Sequence, residues 1–305
     1  LETTFLKRKI KNPIGLAAGF DKSAEVYKQL SKLGFGLIEV GTVTPKKQFG
    51  NPKPRIFRLE EDEALINRLG FNNDGLETIV DRLDRRIDTS VALGVNIGPN
   101  YDSSSYEYDF LKCFYNIMKY ALADYVTINI SSPNTENLRD YQEESKLESL
   151  IKEINKLKKT PISFSDMSIS LKKAIGLPGK EIIDIPVFLK LSPDIKDSSV
   201  EKISEIIINQ KISGVILTNT SNINRSSLKS SNKNQVGGLS GKPIRELSTE
   251  LIKKFYKKLK GKAYIIGVGG VDSGKSAFEK IVAGANVVQL YTGMIYKGPG
   301  IVKEI

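Results

Sequence analysis

The stretch Tyr125-Val126-Thr127-Ile128-Asn129-Ile130-Ser131-Ser132-Pro133-Asn134-Thr135 predicts a buried strand that ends in a polar site. Its first half is rich in β-branched and aromatic residues, which favours a strand. Pro133 cannot donate to a sheet ladder, so the strand should end before it. The last seven residues crowd two amides and three hydroxyls together. Because buried polar groups need partners, this density indicates a binding or catalytic site, with an ordinary polar turn as the alternative.

Short apolar strands alternate with amphipathic helices on both sides of this stretch. The predicted strands cover residues 13–17, 37–40, 91–97, 126–130, 187–191, 214–217, 264–268 and 287–291, and the predicted helices cover residues 25–33, 108–121, 143–158, 200–209, 247–259 and 276–283. Eight such units predict an α/β fold, a (β/α)8 TIM barrel that forms one domain over residues 1–305. Residues 55–58 and 64–67 predict a short accessory hairpin. Residues 160–184 are interpreted as an extended insertion, and residues 221–241 as a long polar loop that acts as a lid.

Composition excludes several kinds of chemistry. The 305 residues contain no histidine, which excludes a histidine base, a Ser-His-Asp triad and histidine metal ligands. The single cysteine, Cys113, excludes an internal disulfide, and no spacing of residues suggests a metal. The formal net charge is +11, but the lysines are dispersed and no nucleic-acid motif is present. A basic surface of this kind favours an anionic ligand or membrane.

Polar residues follow nearly every predicted strand, at the end of a barrel that carries the active site. The ends read Ala18-Gly19-Phe20-Asp21-Lys22, Gly41-Thr42-Val43-Thr44, Asn96-Ile97-Gly98, Asn129 to Thr135, Lys190-Leu191-Ser192-Pro193, Thr218-Asn219-Thr220, Gly267-Val268-Gly269-Gly270 and Tyr291-Thr292-Gly293. Their convergence predicts a site for a large polar ligand, and the lysines Lys22 and Lys190 predict that this ligand is anionic. The alternative is that the Thr and Asn residues only cap the following helices.

Residues 269–276 (GGVDSGKS) match the P-loop pattern G-x-x-x-x-G-K-S. Only one further strand follows, and it carries no Asp to hold Mg²⁺. The competing interpretation is a barrel phosphate site in the loops after the seventh and eighth strands, formed by backbone N–H groups. We favour the barrel site, which predicts that Lys275 is a surface residue.

Four stretches carry a family resemblance. They are residues 12–22 (NPIGLAAGFDK), 66–73 (INRLGFNN), 129–135 (NISSPNT) and 237–241 (GGLSG). Together they closely resemble dihydroorotate dehydrogenase, and the similarity extends from about residue 12 to residue 305. Class 1 members of that family typically have Cys where this chain has Ser132, so the chain is similar to the class 2, quinone-dependent enzymes.

The resemblance implies FMN-dependent oxidation of dihydroorotate to orotate in pyrimidine biosynthesis, with electrons passing to ubiquinone or another quinone. The residues implied to contact FMN are Ala18, Gly19, Lys22, Thr42, Asn96, Asn129, Lys190, Thr218, Gly241, Gly270, Tyr291 and Thr292. Those implied to hold the substrate are Lys22, Asn67, Arg68, Leu69, Gly70, Phe71, Asn129, Asn134, Asn219 and Thr220. Ser132 is implied to be the base that removes the C5 proton, and Arg58 and Tyr291 match positions near the quinone tunnel.

The chain departs from the family pattern in three places. Pro99 stands where many relatives have a lysine, and residues 160–184 are longer than expected. We also expect that the family's N-terminal helical segment, which contacts the membrane and forms the quinone entrance, is absent from this sequence. The resemblance implies a peripheral protein of the bacterial cytoplasmic membrane or the mitochondrial inner membrane, with the missing segment as its membrane contact.

Three alternatives stay open at this point. A class 1-like dehydrogenase would pass electrons to fumarate or a nicotinamide. A P-loop nucleotide-binding protein would bind Mg-ATP and carry no flavin. A non-catalytic basic module would bind anionic membranes without a flavin.

Overall fold

Eight parallel strands close into a barrel in the computed structural model, which describes residues 2–84, 91–163, 180–223 and 225–305. The barrel strands, in chain order, are Ile14–Leu16, Leu37–Val43, Ala92–Ile97, Tyr125–Asn129, Val187–Leu191, Gly214–Leu217, Tyr264–Val268 and Val287–Leu290. Each strand pairs with its neighbour in sequence, and the eighth pairs with the first. The predicted TIM barrel is therefore confirmed, with all eight strands where the apolar runs indicated them.

The α-helices surround the barrel. They are Tyr27–Leu30, Leu76–Asp84, Tyr106–Lys119, Glu144–Lys158, Asp197–Asn209, Arg245–Leu259, Gly274–Val282, Thr292–Lys297 and Ile301–Glu304. The predicted helix over residues 25–33 is shorter, because a 3-10 turn, Ser31–Leu33, follows Leu30. The sequence interpretation missed Leu76–Asp84, although Leu76, Ile79 and Leu83 are all buried and mark one face of that helix.

The floor of the barrel is apolar and is closed by an N-terminal hairpin. Its strands, Thr3–Phe5 and Arg8–Ile10, pair antiparallel. The ring of Phe5 lies 6.0 Å from that of Tyr125 and 5.9 Å from that of Phe188, between ring centroids. This aromatic plug seals the N-terminal end, so the site-bearing mouth lies at the opposite end.

A small sheet stands beside the C-terminal mouth. The strands Ile56–Leu59 and Ala64–Asn67 form the predicted accessory hairpin. A third strand, Gly238–Gly241, pairs antiparallel with Ala64–Asn67, so the hairpin is part of a three-stranded sheet. This corrects the interpretation of residues 221–241 as a plain loop. The segment also contains a 3-10 turn at Ser231–Asn234. The sequence Gly-Leu-Ser-Gly has little strand propensity of its own, and only the long-range pairing makes it a strand.

Two further expectations concern the insertion and the membrane. Residues 164–179 of the predicted 160–184 insertion lie outside the described residues, and the described base pairs Ile162–Ser163 with Lys180–Glu181. Across the described ranges, the structure contains no helix with the length and apolar character needed to cross a bilayer. The single domain over residues 1–305 stays a prediction.

Lys280 provides a test of how the outer helices pack. It is fully buried on the helix Gly274–Val282, and its ammonium donates to Ser248 Oγ at 2.9 Å and Thr249 Oγ1 at 3.1 Å. Burial, followed by the nearby Arg245, lowers the pKa of Lys280 to about 7.

We predict a pH-dependent stability difference between wild type and Lys280→Met. Above pH 7 the unfolded chain keeps a proton that the folded protein releases, so the contribution of Lys280 to the free energy of unfolding rises with pH. The slope is at most about 1.4 kcal/mol per pH unit. Urea unfolding at pH 7, 8 and 9 should show that the free energy of unfolding of the wild type increases relative to that of Lys280→Met. The exposed control Lys257→Met should show no such trend. A difference that is constant with pH would contradict the prediction.

Candidate active site

A cavity opens at the C-terminal mouth of the barrel and is lined by the ends of its strands and by the small sheet. Its lining includes Ala18, Gly19, Lys22, Thr42, Asn67, Leu69, Gly70, Phe71, Asn129, Ser132, Asn134, Lys190, Thr218, Asn219, Thr220, Gly241, Gly270, Tyr291 and Thr292. The cavity therefore brings together almost the whole set of residues that the sequence singled out. Widely separated segments meet here because parallel strands place all their C-terminal ends at one edge.

Three predicted site residues do not line this cavity. Asn96 lies one layer deeper and reaches the lining through Thr42 and Asn129. Arg68 stacks on the ring of Phe57 at 4.6 Å and donates to the carbonyl of Val236 at 3.1 Å. Arg58 lies over the ring of Tyr296 at 5.9 Å.

A chain of amide side chains runs from the cavity into the barrel. Asn219 Nδ2 lies 3.4 Å from Asn129 Oδ1, and Asn129 Nδ2 donates to Asn96 Oδ1 at 3.1 Å. Asn96 Nδ2 in turn donates to Glu39 Oε1 at 2.8 Å. Each amide thus receives a hydrogen bond on its oxygen and passes one on from its nitrogen, so the chain has a single direction that ends at Glu39.

Glu39 ends this chain of hydrogen bonds, and sequence reasoning missed it. It is fully buried, and its second oxygen accepts from Tyr125 Oη and Gln289 Nε2, both at 3.0 Å. Burial and the Glu39 charge raise the pKa of Tyr125 well above its ordinary value, which keeps the phenol protonated as a donor. The available signal was a carboxylate in the middle of the apolar run Leu37-Ile38-Glu39-Val40, since an unpaired buried charge is expensive.

Ser132 lies in the wall of the cavity and is almost fully buried. Its Oγ accepts a hydrogen bond from the backbone N–H of Asn134 at 3.3 Å. In the described ranges no carboxylate side chain hydrogen-bonds to this hydroxyl. Asn134 Nδ2 donates to the carbonyl of Asn67 at 3.2 Å, which ties the loop of Ser132 to the small sheet.

Two lysines give the cavity a positive character. Lys190 is buried, and burial lowers its pKa while the charge of Glu39 acts in the opposite direction. The pKa of Lys22 is lowered to about 8, first by burial of its ammonium group and then by the charges of Arg55 and Lys190. An anionic ligand would relieve this repulsion.

Glycines line one side of the cavity, where the loops after the seventh and eighth strands meet the small sheet. Gly241 and Gly270 have φ angles of +97° and +71°, which favour glycine. A Cβ on Gly270 would meet Arg245 Cβ at 2.6 Å, and one on Gly293 would meet the carbonyl of Val271 at 2.5 Å. A Cβ at either position would therefore meet other protein atoms, so glycine allows these loops to pack closely against each other.

The P-loop-like stretch has a local structural role. Ser273 is the N-cap of the helix Gly274–Val282 and forms a capping box with Ser276. Lys275 is exposed, as the barrel interpretation predicted. Within the described ranges no group of three or more acidic, Cys or His residues is arranged to hold a metal.

Comparison with known proteins identifies the family. A family model described as dihydroorotate dehydrogenase matches residues 1–305. The chain belongs to the dihydroorotate dehydrogenase family. It is 46% identical to the dihydroorotate dehydrogenase (quinone) of Christiangramia forsetii, an alignment that covers 100% of this chain and 83% of the relative. The protein of the same description from Bartonella tribocorum is 45% identical, over 100% of this chain and 79% of the relative.

Solved structures of this family agree with the fold. The dihydroorotate dehydrogenase of Eimeria tenella, crystallised with ferulenol, superposes with a TM-score of 0.89 at 37% identity, covering 100% of this chain and 82% of that one. Its ligand-free form gives the same TM-score at 38% identity, covering 85% of that chain. The barrel, the accessory strands and the mouth of this chain are thus those of dihydroorotate dehydrogenases.

We predict that the affinity for orotate falls as the pH rises through about 8. Below that value Lys22 is charged and would attract the carboxylate of orotate, and above it the free protein loses this charge. The dissociation constant should then increase by up to about tenfold per pH unit. Titrations of orotate between pH 7 and 9 test this, with Lys22→Arg as the matched variant that keeps its charge. A pH-independent affinity in the wild type would exclude Lys22 as the carboxylate partner.

Proposed function

We propose that this protein oxidises dihydroorotate to orotate in pyrimidine biosynthesis, using FMN as its cofactor and a quinone as the final electron acceptor. The observation that carries this proposal is the single cavity in which Ser132, four asparagines, two lysines and a glycine-lined corner face one another. The quinone-dependent relatives, which match nearly the whole chain, favour the quinone over fumarate or a nicotinamide.

The residues that line the cavity suit a flavin mononucleotide. The glycine-lined corner, with Gly241, Gly270 and the backbone of Thr292, would hold the phosphate by N–H groups. Ala18, Gly19, Thr42 and Thr218 would line the ring system, with Lys190 beside it. When bound, the flavin supplies the hydride acceptor for the reaction. The positive charge of Lys190 would stabilise the negative charge that develops on reduction.

The asparagines of the cavity suit the substrate. Orotate carries imide N–H groups, carbonyl oxygens and a carboxylate, and each amide side chain offers both a donor and an acceptor. We assign Asn67, Asn129, Asn134 and Asn219 to this ring, and Lys22 to the carboxylate. Leu69, Gly70, Phe71 and Thr220 would complete the pocket.

Ser132 is our candidate for the base. Dihydroorotate loses a proton from C5 and a hydride from C6. Ser132 Oγ would take the C5 proton while its own hydroxyl proton passes to a water molecule. A serine hydroxyl is a weak base at neutral pH, so its position matters more than its pKa. The hydrogen bond from the N–H of Asn134 holds the oxygen in place and would stabilise negative charge on it.

A second, shallower groove adjoins the cavity and shares Gly19, Lys22, Ile56, Leu69 and Tyr291 with it. It also presents the exposed Phe49 beside Lys47, Lys53 and Arg55. We propose that the quinone approaches the flavin here, with Tyr291 at the shared wall and Arg58 nearby in the small sheet. Asp21, Glu25 and Asp74 also line the groove beside its four basic side chains. The exposed Phe49 and the basic side chains around it support a peripheral site on an anionic membrane surface.

We predict that Ser132→Ala retains the flavin but reduces it more slowly by about 10²–10⁴-fold, the usual contribution of a general base. Stopped-flow mixing with dihydroorotate under anaerobic conditions measures this rate directly. Ser204→Ala is the control, because Ser204 is a buried serine on an outer helix whose hydroxyl donates to Val200. Flavin reduction at the wild-type rate in Ser132→Ala would sink the assignment.

We also predict the choice of acceptor. A soluble quinone should support steady-state turnover of dihydroorotate, whereas fumarate and NAD should support little. The physical reason is that the groove next to Tyr291 combines apolar and basic groups that suit a quinone headgroup. Equal turnover with fumarate would favour the class 1-like alternative.

A further inference from the structure

Arg139 and Asp194 form an ion pair that joins three of the loops around the cavity. Arg139 Nη1 lies 3.0 Å from Asp194 Oδ2, and the two side chains are 25% and 9% exposed. Arg139 follows the fourth barrel strand and Asp194 follows the fifth. Neither residue lines the cavity. The pair lies behind the wall that contains Ser132.

The other nitrogens of the guanidinium group hold two backbone carbonyls. Arg139 Nε donates to the carbonyl of Ser131, and Nη2 donates to the carbonyl of Thr220, each at 3.1 Å. Ser131 immediately precedes the proposed base, and Thr220 belongs to the proposed substrate pocket. Because the guanidinium is planar and rigid, one side chain determines the distance between these two walls.

Asp194 holds the segment that follows Thr220. Its Oδ1 accepts from Ser221 Oγ at 2.6 Å, and its Oδ2 accepts from the backbone N–H of Asn222 at 2.9 Å. Ser221 also exchanges two backbone hydrogen bonds with Leu239 of the small sheet. Through Ser221, Asp194 thus connects Arg139 to the strand Gly238–Gly241.

We propose that Arg139 and Asp194 are a pair of positioning residues that hold the loop of Ser132 at a fixed distance from the substrate wall formed by Thr220. The inference rests on the proposed function, because it takes Ser132 as the base. A shift of about 1 Å in a reacting group can lower a rate about a hundredfold. Loss of this ion pair should therefore slow proton abstraction, although neither residue touches the substrate.

The test is a double-mutant cycle with Arg139→Gln and Asp194→Asn. We expect each single variant to keep its flavin and to reduce it about tenfold to a hundredfold more slowly at saturating dihydroorotate. The double variant should be no more than about twofold slower than the worse single variant, because the two residues act as one unit. The dissociation constant of orotate should rise in all three, since Thr220 is released as well.

Arg8 and Asp124 supply a matched control at the other end of the barrel. They form an ion pair at 2.8 Å in which the side chains are 29% and 24% exposed, and Asp124 also accepts from the backbone N–H of Leu93. Arg8→Gln should lower the melting temperature but leave flavin reduction within about twofold of the wild type. A general loss of stability would therefore slow flavin reduction in Arg8→Gln as well, whereas a positioning role slows it only in the Arg139 and Asp194 variants.

Arg139→Lys keeps the charge beside Asp194 but lacks the planar guanidinium group that donates to both carbonyls. We expect it to reduce the flavin more slowly than wild type, and it replaces Arg139→Gln if the latter does not fold. A wild-type rate of reduction in Arg139→Lys or Asp194→Asn, or fully additive effects in the double variant, would overturn the proposal. Ser132→Ala in the same assay tests separately whether Ser132 is the base. If it is not, the orotate affinity of the Arg139 variants still tests the positioning role of the ion pair.

Discussion

The buried carboxylate of Glu39 constrains the polar interior of the barrel more than any other group. A buried charge is tolerated only when it is well satisfied, and an ionised carboxylate can only accept hydrogen bonds. Asn96, Tyr125 and Gln289 must therefore each turn a donor toward it, as they do. Once the N–H of Asn96 points inward, its oxygen faces Thr42 and Asn129. The direction of the hydrogen bonds at the mouth follows from one charge deep in the barrel.

The same charge acts on the electrostatics of the cavity. Burial lowers the pKa of Lys190, and Glu39 opposes that effect from below. Lys22 has no such help from Glu39 and is repelled by Arg55 and Lys190, which leaves its pKa at about 8. The positive charges of Lys22 and Lys190 therefore face the ligands, while the compensating negative charge of Glu39 lies deeper in the barrel. A phosphate and a carboxylate are the ligands that such a distribution favours.

The walls of the site depend on contacts between distant segments. The strand Gly238–Gly241 is held by its register with Ala64–Asn67, and the loop of Ser132 is held by Asn134 on the carbonyl of Asn67 and by Arg139 on the carbonyl of Ser131. A loop by itself has many conformations, and fixing each residue costs about 1–2 kcal/mol. The half-buried ion pair and the short sheet offset that cost at the places where the geometry of the reaction is decided.

The barrel could be predicted from the sequence, because eight short apolar runs that alternate with amphipathic helical stretches admit few other arrangements. The sequence also determined which residues meet at the mouth, since the polar groups at strand ends are carried to one edge by any parallel barrel. Only the tertiary structure revealed the contacts of Glu39, the strand Gly238–Gly241 and the ion pair between Arg139 and Asp194. Each depends on a partner far away in sequence, since Arg139 and Asp194 are 55 positions apart, and local patterns of hydrophobicity do not reveal such pairings. The sequence thus specified the scaffold and the chemical groups, and the packing of loops onto that scaffold specified their geometry.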